Sequence, residues 1–113
     1  MKKTERIKVY EKYDGHCAYC GKELVYKDMQ VDHLEPRLNG LISAEYVEKF
    51  ENYMPSCRRC NHYKRAHSLK EFRQLLVTLH ERLMKQYLDK VAFDYNIIKI
   101  KPFGGLFYFE KED

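Results

Sequence analysis

Four cysteines and two short polar clusters hold the chemistry open to this chain. Cys17/Cys20 and Cys57/Cys60 form two Cys-x-x-Cys pairs with no cysteine left over. Within such a pair a tight turn lets both sulfurs converge on one ion, while the intervening N–H groups face the thiolates. Two pairs complete a closed tetrahedral shell of four thiolates with Zn–S of about 2.3 Å. A shell without room for water shapes a fold and does no hydrolysis, so one structural zinc per chain is expected. Two redox-active dithiols are the other reading of the same residues. Residues 21–56 separate the pairs, a longer stretch than zinc ribbons have, so it must carry structure of its own. Asp32-His33 lies inside that stretch, and Asn61-His62 follows the second pair directly. A metal clip would draw a carboxylate, an imidazole and an amide together from distant positions.

The elements that must position these groups are legible in pieces. Residues 4–13 place Ile7, Tyr10 and Tyr13 at helical spacing, with Thr4 as N-cap and Asp14-Gly15 as the stop. Residues 16–21 read as a knuckle turn. Residues 24–26 and 29–32 predict two short strands around Lys27-Asp28, Pro36, Asn39 and Gly40 mark a loop, and residues 44–51 a short helix. Ser68-Leu69-Lys70-Glu71 fits a capping box. Leu69, Phe72, Leu76, Leu79, Leu83 and Tyr87 then recur on one face, which predicts one long amphipathic helix over about 69–90. From Asn96 the period changes. Residues 97–101 and 106–109, around Pro102-Phe103-Gly104-Gly105, read as a terminal hairpin.

The resulting class is α+β. One domain is expected over residues 1–113: a clip-held core over 1–68, the long helix over 69–95, and the hairpin over 96–113. A domain this small leans on a metal or a disulfide for stability. Charged residues make up 34% of the chain, and no apolar run approaches the roughly 18–20 residues of a membrane helix. The start, Met1-Lys2-Lys3-Thr4-Glu5, lacks the apolar stretch of a signal peptide. A soluble cytoplasmic protein is expected, in which paired cysteines bind metal. The formal charge of +4 falls to about +2 once four thiolates hold a zinc, so overall charge does not argue for nucleic acid. Local charge does. Residues 58–73 hold Arg58, Arg59, Lys64, Arg65, Lys70 and Arg73 against the single acid Glu71, while Glu45, Glu48 and Glu51 collect elsewhere.

Taken in order, the two Cys pairs, Asp32-His33-Leu34-Glu35-Pro36, Asn52 and Cys57-Arg58-Arg59-Cys60-Asn61-His62-Tyr63-Lys64 resemble the HNH endonuclease motif. The variant resembled is one in which a four-cysteine zinc knuckle holds a ββα-metal fold together, and the likeness spans about residues 13–67. Singly, Asp32 reads as a turn cap, His33 as a surface histidine and Asn52 as the end of a helix. Together inside a four-cysteine clip they read as a site. The resemblance implies that His33 is a general base taking a proton from the attacking water, a task that suits an imidazole of pKa near 6.5. It implies that Asp32, with a carbonyl oxygen of Asn61, ligates Mg²⁺ or Mn²⁺ and leaves positions for water and phosphate oxygens. Such an ion stabilises charge on the phosphate and on the leaving 3′ oxygen. Asn52 would hold the base-bearing loop by hydrogen bonding.

One departure stands out: Asn61 occupies the place of the family's last histidine, and His62 beside it is the alternative ligand. Neighbouring strand residues project to opposite sides, so Asp32 and His33 share a site only if the strand ends or bends there. Lys64, Arg65, Arg58, Arg59 and His67 are the expected phosphate contacts, which give affinity without sequence choice. The function implied is a metal-dependent DNA endonuclease; the alternative is a non-catalytic zinc module that binds nucleic acid. Small proteins of this kind are frequent in bacteriophages and mobile elements, so a bacterial or phage-infected cell is the expected setting. The long helix or the hairpin offers a face for a protein partner or a second copy. No second DNA-reading module is legible, and weak sequence selectivity is expected.

Overall fold

Lys3–Glu11 form the first helix, α1, of the computed structural model, which describes residues 1–36 and 44–111. Thr4 lies inside α1, and Lys2 at the N-cap gives no side-chain bond. Beyond the helix, Asp14 and Gly15 turn the chain with φ of 52° and 77°. A Cβ at Gly15 would lie 2.9 Å from the Tyr10 hydroxyl, which donates to the Leu24 carbonyl at 2.7 Å. The first Cys pair sits in the turn that follows. His16 bridges Glu23, the Cys17 amide donates to Lys22 at 2.8 Å, and the Gly21 amide donates to Cys17 at 2.9 Å.

The strand expected over 24–26 is not formed. Tyr26–Asp28 is a 3-10 turn, and the Arg6 guanidinium holds the carbonyls of Tyr26 and Met29 at 3.0 and 2.9 Å. Gln30–His33 form β1, whose antiparallel partner is β2, Tyr53–Ser56, in the register Gln30↔Ser56, Val31↔Pro55, Asp32↔Met54 and His33↔Tyr53. Sequence pattern passes over β2 because Pro55 argues against a strand. A two-stranded sheet has only edges, and an edge tolerates proline. The Pro55 carbonyl accepts the Ala18 amide at 2.8 Å, which ties the first knuckle to the sheet. Ahead of β2 come α2 (Ala44–Val47) and a 3-10 turn over Phe50–Asn52. After it comes α3 (Arg58–Lys64), capped by the Cys57 sulfur, which accepts the Cys60 amide at 3.4 Å. Helix α3 packs on β1. The expected loop at Asn39 and Gly40 lies outside the described residues.

The chain divides into two compact units, residues 1–69 with 107–113, and residues 70–106. In the first unit the C-terminal segment lies on the first knuckle rather than in a hairpin. Tyr108 and Phe109 donate their amides to Tyr19 and Ala18 at 3.0 and 2.8 Å. The strand expected over 106–109 is not formed: Tyr108–Glu110 make a 3-10 turn against knuckle backbone. Phe107 and Phe109 set their edges against Tyr19 at 5.6 and 6.2 Å, while Tyr108 stacks on His16 at 5.4 Å.

The expected single long helix is three helices: α4 (Leu69–Val77), α5 (Leu79–Leu83) and α6 (Tyr87–Asp94). Neither Pro nor Gly breaks it. The Thr78 hydroxyl donates back to the Gln74 carbonyl at 3.0 Å, and Arg82 takes the Leu75 carbonyl at 2.5 Å, which disturbs the ladder at Thr78. Gln86 is extended (ψ 130°) and separates α5 from α6. Asn96, in the left-handed region at φ 61°, stops α6, and the Ile97 amide returns to Ala92 at 2.9 Å. Within this second unit Arg73 donates to the Gly105 carbonyl at 2.7 Å, and no strand forms over residues 97–106.

Candidate active site and metal centre

The two knuckles bring all four sulfurs together. Cys17, Cys20, Cys57 and Cys60 offer ligand atoms that lie within 4.8 Å of one another, and none is in a disulfide. The Cys20 and Cys57 sulfurs are 3.9 Å apart, against about 3.8 Å for the edge of a tetrahedron with Zn–S of 2.3 Å. Proton sharing among Cys17, Cys20 and Cys60 points the same way. A hydrogen bond from Cys60 draws the Cys17 thiol down to about 4, the same contact followed by burial pushes Cys60 up, and burial pushes Cys20 up. Sulfurs in such contact cannot all shed their protons unless a cation sits among them. The donor set therefore fits a structural metal such as zinc.

Clip and sheet place the polar residues as follows. Asn52 is fully buried between α2 and β2. Its amide oxygen accepts the Glu35 N–H at 2.9 Å, and its amide nitrogen donates to the carbonyls of Glu35 and Val47 at 2.9 and 3.1 Å. The Asn52 carbonyl also accepts the Leu34 amide at 2.8 Å. One residue thus fastens the segment that leaves His33. The Glu35 side chain extends the tie, its Oε1 accepting the Leu69 amide at 3.3 Å where α4 begins.

His33 is the last residue of β1 and 36% exposed. Its ring meets the edge of Tyr53 at 5.5 Å. Nε2 is buried and lies 3.6 Å from Glu48 Oε1, with no hydrogen-bond partner among the described residues. Nδ1 makes no hydrogen bond among the described residues either.

Asp32 turns its side chain toward α3, and β1 ends at the next residue, His33. Its Oδ2 accepts the Tyr19 hydroxyl at 2.5 Å and pairs with Lys64 Nζ at 3.0 Å. Burial, and then the Asp32 charge, push Tyr19 well above its ordinary range, so the hydroxyl keeps its proton and donates. Lys64 is fully buried and also donates to the His33 carbonyl at 2.8 Å. This corrects the expectation that Lys64 contacts phosphate: its ammonium is committed to Asp32 and the β1 backbone.

Asn61 lies three residues before Lys64 and so on the same side of α3. With His62, Arg58 and Arg59 it lines an open cavity of about 560 Å³ that Lys22 and Gln30 complete. Arg65 is exposed, with φ 52° and ψ −133° at the end of α3, and His67 is half-buried. Sequence reasoning missed Glu48, Lys22 and Gln30, and the bond of Tyr19 to Asp32. A signal existed only for Gln30, which shares a strand face with Asp32 by its spacing of two.

Residues 17–67, the segment that carries the knuckles, the sheet and α3, match the family model described as HNH endonuclease. No curated protein and no solved structure matches the chain. Among the described residues, no helix is long and apolar enough to cross a membrane.

Proposed function

We propose that the protein is a metal-dependent DNA endonuclease that hydrolyses phosphodiester bonds, with His33 as general base and a structural zinc on the four cysteines. The observation that carries this reading is Asn52. A fully buried amide commits its oxygen and its nitrogen to the backbone that leaves His33, inside the segment that matches the HNH endonuclease model. A packing role alone would not need a partly exposed imidazole at the end of that clamp.

Glu48, facing Nε2, favours the tautomer that carries its proton there, which leaves Nδ1 to take the proton of the attacking water. A divalent cation would rest on Asp32 and Asn61. Asp32 Oδ1 makes no bond among the described residues, and the Asn61 side chain brings a second hard oxygen from the face of α3 that meets Asp32. When bound, such an ion stabilises negative charge on the phosphate and the leaving oxygen. Tyr19 and Lys64 hold the Asp32 carboxylate oriented for that role.

The test is nicking of supercoiled plasmid by zinc-loaded protein with Mg²⁺ or Mn²⁺. Wild type converts plasmid to open circles, and His33→Ala, with equal zinc content, loses at least two orders of magnitude. Equal rates for the two proteins, or DNA binding without nicking, would leave the non-catalytic zinc module as the function.

A further inference from the structure

We infer that the open cavity beside the second Cys pair, with the one adjoining it, forms a continuous trough that seats the sugar–phosphate backbone of a DNA strand, and that Lys22 and Gln30 belong to it together with Arg58 and Arg59. The inference rests on the nuclease reading for the identity of the ligand, and on separate observations for the site.

The two cavities, of about 560 and 660 Å³, share Lys22, Gln30, Cys57 and Arg58. The trough therefore runs from Asn61 and His62, past the metal clip, to Lys27 and Asp28. Two separate chain segments supply its cations: Lys22 and Lys27 come from the first knuckle and the turn after it, Arg58 and Arg59 from the start of α3. All four are exposed, and none makes an ion pair or a side-chain hydrogen bond among the described residues.

Other cations of the same unit already serve the fold. Arg6 holds two carbonyls, Lys12 the carbonyls of Phe50, Glu51 and Tyr53, and Lys64 a carboxylate and a carbonyl. Among the described residues, the half of the trough next to Asn61 holds no carboxylate, while Glu23 and Asp28 flank the far half. Positive potential thus rises toward Asn61, the end nearest the proposed cation site.

What lines the trough also selects its ligand. Among the described residues no Tyr or Phe lies on either half, so bases find nothing aromatic there to stack on. Cations and the amides of Gln30 and Asn61 suit phosphate oxygens. Such contacts fix the register of a strand without reading its sequence.

Binding of a fluorescein-labelled duplex by zinc-loaded protein, without added divalent cation and across a salt series, tests the site. Lys22→Ala/Arg58→Ala lowers the slope of log K against log salt by close to two, and weakens binding about tenfold per lost contact near 0.1 M salt. Lys22→Arg keeps the wild-type slope. Lys3→Ala/Lys8→Ala, which removes two exposed charges on α1, leaves the slope unchanged. An unchanged slope in Lys22→Ala/Arg58→Ala overturns the trough. So does a loss of zinc in that variant at wild-type DNA affinity, since the cations would then only balance the thiolates. The nuclease reading fails separately: if wild type binds DNA through these residues but never nicks plasmid, the trough stands and catalysis does not.

Discussion

The two ends of α3 put like charges to opposite uses. At its inner end Lys64 is fully buried and holds Asp32 and the His33 carbonyl. At its outer end Arg58 and Arg59 are exposed and line the trough. In the sequence these residues belong to one basic run. Helix phase separates them, since Lys64 lies roughly 120–140° round the helix from either arginine. The lesson is that a count of cations overstates binding capacity until each has been matched to the carbonyl or carboxylate it already serves. Building cations should govern stability and the posture of His33, and trough cations should govern salt-dependent affinity.

The largest effect should come from what holds both ends of α3 in place. Removing a metal held by the four cysteines with a chelator should cost on the order of 10 kcal/mol and abolish the cooperative unfolding of the first unit, as read by near-UV circular dichroism. Cys57→Ser should weaken the fold in the same direction. A metal held by four thiolates should be released by acid, which would unfold this unit in one step. Next comes the inner end of α3. Lys64→Met leaves a buried carboxylate without its partner and costs about 3–5 kcal/mol in urea denaturation. Adding Asp32→Asn should recover most of that loss; no recovery would mean that Lys64 acts through volume and not charge. Asn52→Ala should cost about 2 kcal/mol, because the Glu35 amide and two carbonyls lose their partner. Nicking should fall further than stability explains, with DNA affinity kept.

The smallest expected change is a gain. Arg65 has φ 52° with ψ −133°, which only glycine adopts without strain, so Arg65→Gly should add about 1 kcal/mol of stability. A drop in the salt slope in the same variant would place Arg65 among the trough cations instead.

The parts of this architecture that are legible in sequence are those set by local chemistry. Spacing alone announces the four-cysteine cluster, because a Cys-x-x-Cys turn has few other uses in matched pairs. Asp32, His33 and Asn52 stand out by their order between those pairs. What stays hidden depends on partners far along the chain. Nothing near Tyr19 says that its hydroxyl will meet Asp32, or that Phe107 and Phe109 will return to cover it. Phe107-Tyr108-Phe109 reads as a strand, yet Tyr108–Glu110 form a 3-10 turn against a knuckle, which pattern cannot announce. The break at Thr78 has a local cause, but a hydroxyl that bonds back to Gln74 leaves no mark on apolar periodicity, which runs on through it. Lys64 is the most instructive miss. Its neighbours are basic, and only its phase relative to Asn61 hints that it faces β1.

Salt-dependent DNA binding by zinc-loaded Lys64→Met/Asp32→Asn tests the division between building and binding cations most directly. The double substitution leaves net charge unchanged and removes the ammonium that sits 3.0 Å from Asp32. If Lys64 only builds the site, the slope of log K against log salt equals that of wild type. A slope smaller by about one would show that Lys64 reaches a phosphate, and would contradict that division.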